Sequence, residues 1–146
     1  MTPEERAQKV GEVMWASDSA SPWMGMSLDH IEPGAATLSL TVQDHHTNGH
    51  KICHGGVMFT LADSAFAFAC NSYNRLAVAH VASVTFIAPV KIGAVLTARA
   101  KMLQRRGRNG ICDVEVSDSA GEIVAQFRGH SREIGGQHFE EETGNA

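Results

Sequence analysis

The chain has 146 residues, of which 43% are hydrophobic and 19% charged, and a formal net charge of −4. That composition is ordinary for a single globular domain and excludes disorder, collagen and coiled coil. The acidic balance argues against a broad nucleic-acid footprint, and no apolar run reaches the roughly 18 residues of a membrane helix.

Residues 3–16 read as a helix. Pro3 suits its first turn, Glu4 and Glu5 suit its positive end, and Val10, Val13 and Met14 form an apolar stripe. This polar opening has no signal-peptide core, so a cytoplasmic location is expected. Ser17 to Pro22 reads as a loop and Met24 to Ile31 as a short strand. After the Pro33-Gly34 turn, Ala36, Leu38, Leu40 and Val42 alternate with Thr37, Ser39 and Thr41 as a half-buried strand.

Gln43 to Cys53 is polar, rich in His and irregular. Behind His54-Gly55-Gly56 comes the most apolar segment, Val57 to Cys70. Ala and Phe dominate it, and its length favours a helix over a strand. Nearly every face is apolar, so this helix should be surrounded. Asn71 to Asn74 ends it. Leu76 to Ala88 is a strand stopped by Pro89, and Leu96, Ala98, Ala100 and Met102 alternate along the next. Gly107 to Gly110 is a hairpin turn, Cys112 to Val116 a strand, and Asp118 to Gly121 a second turn. In the last strand Ile123, Ala125 and Phe127 face one way and Gln126, Arg128 and His130 the other. Residues 136–146 read as a flexible, solvated tail. Short hairpins demand an antiparallel sheet, and one long apolar helix needs that sheet curled around it. The expected class is α+β, in one domain spanning 1–146.

Cys53, Cys70 and Cys112 are scattered and form no CxxC pair, so they read as reduced, space-filling thiols. His45, His46, His50, Cys53 and His54 lie close together, but their spacing matches no common zinc site. No metal is expected; solvated loop histidines are the alternative. Walker, GxGxxG, GxSxG and HExxH motifs are all missing from the sequence, which disfavours redox and phosphoryl-transfer chemistry.

Three features point to chemistry. Asn48 and His54-Gly55-Gly56 precede the apolar helix, whose first turn offers unpaired N–H groups to an oxyanion; a plain loop-to-helix junction is the competing reading. Asp63 is the sole charged group between Lys51 and Arg75. A carboxylate in so apolar a helix is costly unless paired or functional, and burial shifts it toward general-base behaviour. Capping by Thr60 or Ser64 is the structural alternative. Finally, Asp63 lies about 12 Å along the helix axis from Gly55, too far for both to act on one carbonyl within one chain. Two antiparallel helices from two copies would bring them together. Arg105, Arg106 and Arg108 at the hairpin could contact the phosphates of an acidic ligand, with Arg128, His130 and Arg132 alongside, or could simply be solvated.

At these residues the chain resembles the hot-dog-fold acyl-CoA thioesterases, closest to the PaaI-type branch of phenylacetate degradation. The segment Asn48 to Ser72, with its N-x5-HGG-x6-D pattern, carries the resemblance, which extends over about residues 24 to 136. It implies a helix wrapped by a curled antiparallel sheet, a homodimer with shared sites, and a homotetramer of such dimers. It also implies hydrolysis of an acyl-CoA, with phenylacetyl-CoA or a ring-hydroxylated relative as substrate. No cofactor is implied, because coenzyme A is part of the substrate. Carried over by position, the Gly55 N–H would hold the thioester oxygen, Asp63 of the facing subunit would be general base or nucleophile, and Asn48 would orient water or the acyl group. His54, Gly56 and Ser64 would border the substrate, with Arg105, Arg106 and Arg108 toward its phosphates. Some relatives place Ser or Thr near the start of the following strand; Ala79 matches that position here. A hot-dog hydratase or dehydratase and a non-catalytic acyl-CoA-binding protein are the alternative functions.

Overall fold

The computed structural model describes residues 1–142. Helix α1 (Pro3–Ser17) starts where its free N–H groups find acceptors. Thr2 Oγ1 accepts from the Glu5 N–H at 3.1 Å, and Glu5 Oε2 accepts from the Thr2 N–H at 2.8 Å. Its buried face is Ala7, Val10 and Gly11. The expected loop after it contains a single helical turn, α2 (Ala20–Trp23). Asp18 nucleates this turn by accepting from the Ser21 N–H at 2.9 Å and the Ser21 hydroxyl at 2.7 Å.

The strands are β1 (Ser27–Glu32), β2 (Ala35–Thr41), β3 (Ala77–Phe86), β4 (Val95–Arg106), β5 (Asn109–Ser117) and β6 (Ile123–Glu133), with the long helix α3 (Gly55–Asn71) between β2 and β3. They form one antiparallel sheet in the order β1-β2-β4-β5-β6-β3. Thus β3 follows α3 in the chain but pairs with β6 and forms one margin of the sheet. At the other margin α1 packs on β1, and Gln8 Nε2 donates to the Ile31 carbonyl at 3.1 Å.

The curled sheet presents Leu38, Leu40, Leu96, Ala98, Val114 and Phe127 to α3, which answers with Leu61, Ala65, Phe66 and Phe68. Phe127 meets Phe59 and Phe66 at centroid separations of 5.5 and 5.8 Å. Each such buried ring contributes roughly 1.5–3 kcal/mol. Gly129 on β6 makes room for one of them, since a Cβ there would lie 2.7 Å from the Phe66 ring.

Two expectations are corrected. First, α3 is not surrounded. Gly56, Thr60, Asp63 and Ala67, spaced at helical intervals, form a stripe that the sheet leaves at least partly uncovered. Second, much of the tail is docked. The Asn74 side chain accepts from the His138 N–H at 2.9 Å and donates to the Phe139 carbonyl at 3.1 Å. Arg6 grips Glu141 through Nε at 2.8 and 2.9 Å, and His138 Nε2 lies 2.7 Å from Asn71 Oδ1. Residues 143–146 lie outside the described residues. No described helix is long and apolar enough to cross a membrane.

Candidate active site

The loop before α3 is built around a buried histidine, not the solvated histidines expected for it. His46 is buried; its Nδ1 accepts from the Gln43 N–H at 3.0 Å and its Nε2 donates to the Met24 carbonyl at 2.8 Å. The His46 carbonyl in turn accepts from the His54 N–H at 2.8 Å, which ties this loop to the helix start. His45 stacks on the His46 ring, and His50 is exposed. A buried imidazole with both nitrogens used is a structural group.

His54 caps α3. Its Nδ1 accepts from the Gly56 N–H at 2.8 Å, so the ring proton resides on Nε2. That bond uses the amide of Gly56. Among the described residues no acceptor meets the amide of Gly55, the first N–H of a 17-residue helix whose positive end points the same way. The free N–H at the helix start is therefore that of Gly55 and not that of Gly56. The glycines themselves answer to neighbouring side chains more than to a ligand. A Cβ at Gly55 would lie 2.9 Å from Phe86 Cζ, and one at Gly56 would lie 3.0 Å from His54 Nδ1.

Asn48 sits beside this donor. Its Oδ1 accepts from the His50 N–H at 2.9 Å, and its N–H donates to the Ile52 carbonyl at 2.9 Å, a tight loop closed by Lys51 at φ 62°. Among the described residues its carboxamide nitrogen donates no hydrogen bond. Asn48, Ile52, Gly55, Met58, Phe86 and Pro89 line a groove of about 300 Å³. Phe86, which roofs it, was not singled out by the sequence, because its approach to Gly55 depends on β3 being at the sheet margin.

Asp63 is not in this groove. It stands eight residues further along α3 on the open stripe, half-buried, and among the described residues nothing donates a hydrogen bond or an ion pair to its carboxylate. Burial alone pushes its pKa above the ordinary carboxylate range. Neither hydroxyl proposed to cap it does so. Thr60 Oγ1 donates to the Gly56 carbonyl at 2.7 Å, and Ser64 Oγ pairs with Ser21 Oγ at 2.8 Å. Ser64 thus anchors α2 to α3. Because Ser21 gives its own proton to Asp18, Ser64 is the donor of the pair.

The strand position that relatives fill with Ser or Thr offers no hydroxyl to the helix side. Ala79 and Ala82 pair with the inward Ser131 and Gly129, whereas Ser83 pairs with the outward Arg128 and His80 turns toward His130.

The three hairpin arginines are divided. Strand β4 continues past Met102 to Arg106, so successive side chains alternate faces. Arg105 turns to the helix side, stacks over Tyr73 at 3.9 Å and pairs with Glu133 at 3.0 Å. Arg106 and Arg108 lie instead in an outer groove with His80 and His130.

Comparison with known proteins adds an independent line. Residues 50–125 match the family model for the thioesterase superfamily. The chain is 37% identical over 131 residues to the acyl-coenzyme A thioesterase PaaI of Escherichia coli, covering 90% of this chain and 94% of that protein. The solved structure of the E. coli PaaI protein from the phenylacetic acid degradation operon superposes with a TM-score of 0.91 at 35% identity, covering 93% of this chain and 99% of that one. A variant of the phenylacetic acid degradation protein PaaI from Thermus thermophilus gives a TM-score of 0.78 at 33% identity, over 80% of this chain and 100% of its own.

Proposed function

The chain belongs to the thioesterase superfamily and has its hot-dog fold, and from that premise we propose that it hydrolyses phenylacetyl-CoA or a ring-hydroxylated relative to the free acid and coenzyme A. The observation that carries this reading is the Asp63 carboxylate, partly withdrawn from water, given no partner among the described residues, and set on the open stripe of α3. Such a group is held in readiness for something supplied from outside the protomer.

A second copy supplies it. The margin strand β3 leaves Val78 and Val81 exposed by 46% and 51% on the outer face of the sheet and Phe86 exposed by 51% on the helix side. An unpaired apolar margin is a template for another strand. Antiparallel pairing of β3 with its symmetry copy joins the two sheets and sets the two α3 helices antiparallel. Asp63 of one protomer then faces the Gly55 groove of the other, which closes the separation that a single chain cannot bridge. Two such dimers make the homotetramer.

In this arrangement the Gly55 N–H, aided by the helix dipole, holds the thioester oxygen as the carbonyl carbon becomes tetrahedral. Asp63 either takes a proton from the attacking water or attacks the carbon itself, and the carboxamide nitrogen of Asn48 orients the water or the acyl group. Phe86 at the groove and Phe59 on the preceding turn from Asp63 favour an aryl acyl group. A thiol-release screen over phenylacetyl-, benzoyl-, short-chain and long-chain acyl-CoA tests the reading. Phenylacetyl-CoA should give the highest kcat/KM; release from none of them, with tight binding instead, would make the protein an acyl-CoA binder.

A further inference from the structure

The histidine-rich loop holds one group that the chemistry above leaves unused. The His46 ring is 1% exposed and bonded at both nitrogens. Because Nδ1 accepts from the Gln43 N–H, the proton stays on Nε2 and is donated to the Met24 carbonyl at 2.8 Å. Met24 is a fixed point. Its N–H donates to the Ala20 carbonyl at 2.9 Å, and α2 is tied to α3 where the Ser21 and Ser64 hydroxyls meet at 2.8 Å.

Residues 46–54 form a small two-stranded ladder. The His54 N–H donates to the His46 carbonyl at 2.8 Å, Thr47 bridges Cys53, and the Asn48 N–H donates to the Ile52 carbonyl at 2.9 Å. Its two sides are anchored differently. On the side leading to Gly55, the Cys53 N–H donates to the Val90 carbonyl at 2.7 Å, Ile52 bridges Lys91, and α3 continues the chain. The side carrying Asn48 has less. Among the described residues, the sole hydrogen bond from residues 43–48 to a residue outside the loop, 43–54, is the one from the His46 ring to Met24. A planar ring bonded at two edges fixes the distance between two backbone segments, as a functional group on a loop requires.

Resting on the thioesterase reading, we propose that His46 is a positioning residue for that hydrolysis: without touching the thioester, its ring fixes the place of the Asn48 carboxamide. It acts through the two residues of backbone between them. A displacement of about 1 Å at an orienting group costs up to about 10²-fold in rate. The Gly55 N–H, anchored through Cys53 and the helix, does not depend on it.

The test is a double-mutant cycle read as kcat and KM for thiol release from phenylacetyl-CoA, below the melting temperature of every variant. His46→Gln keeps an amide donor for Met24 but leaves the Gln43 N–H without its acceptor. His46→Asn keeps that acceptor and is too short for Met24. In the first, kcat should fall about 3- to 10-fold, and in the second about 10- to 100-fold, with KM within about 2-fold of the parent. Asn48→Ala should lower kcat by itself. In that background each His46 substitution should cost less than about 2-fold, because the group it displaces is gone. A merely structural histidine would give equal losses in the two backgrounds. Equal losses overturn the proposal, as do a parent-like kcat in both His46 variants, an effect confined to KM, or a parent-like kcat in Asn48→Ala. Should His46→Asn not fold, the cycle with His46→Gln decides alone. Failure of the unaltered protein to cleave the ester overturns instead the thioesterase reading on which the proposal rests.

Discussion

Replacing Asp63 with Asn should move activity and stability in opposite directions. Asn keeps the shape of the side chain and removes its charge. If the carboxylate is a general base, turnover of an acyl-CoA should fall by roughly 10²–10⁴, equal to about 2.7–5.5 kcal/mol of transition-state stabilisation; loss of a nucleophile would cost more. Stability follows from burial. Because desolvation raises the Asp63 pKa in the folded state, the folded protein binds this proton more tightly than the unfolded chain does. Its contribution is therefore fully present below the unfolded pKa and is lost as pH rises through the folded value. Asn has no such loss. The variant should gain stability over the parent at pH about 8, and the gain should vanish below pH about 4, where both chains are neutral at this site. Urea unfolding at those two pH values and thiol release at the higher one make the measurement. Near-normal turnover would remove Asp63 from the chemistry. A stability difference that does not change with pH would show that its carboxylate is not held out of water.

Val81→Lys places a cation on the open margin of β3, where Val81 is 51% exposed. Sedimentation should show loss of the dimer together with loss of thiol release, and a fully active larger species would contradict the shared site. Gly55→Ala brings a Cβ to 2.9 Å from Phe86 Cζ and should cost about 1–3 kcal/mol, most of it regained on adding Phe86→Ala; strictly additive effects in that cycle would disprove the contact. Asn74→Ala removes the acceptor and donor that hold His138 and Phe139, at a residue with φ 59°. It should cost about 1–3 kcal/mol and speed amide exchange at His138, with unchanged exchange counting against a docked tail.

Much of this architecture was legible because it is written in short-range patterns. Alternation placed β2, β5 and β6, the apolar run placed α3, and the turn at Gly107 placed the hairpin. The rise per residue in a helix was enough to show that Gly55 and Asp63 could not meet in one chain. What escaped depends on pairing between distant segments. Nothing local says that β3 joins β6 at the sheet margin, so neither the open strand nor the Phe86 ring over Gly55 could be foreseen. The polar tail reads as solvent-loving, yet its partners are Asn71, Asn74 and Arg6, far away in sequence. The arginines failed for another reason. Alternation ended at Met102 in the sequence, while the strand itself runs on to Arg106, which sends neighbouring arginines to opposite faces.

The two margins of the sheet are unequal, and that inequality limits how far copies of the chain can add to one another. A sheet with both borders bare would grow without end, as fibrils do. Here α1 shields the β1 border, and Gln8 occupies the Ile31 carbonyl that an incoming strand would need. Self-addition along the hydrogen-bonding direction has a single doorway, β3, and a two-fold pairing through it consumes both doorways at once. Loosening α1, for instance by losing the Thr2–Glu5 cap, would reopen the far border and turn a self-limiting assembly into one prone to aggregate.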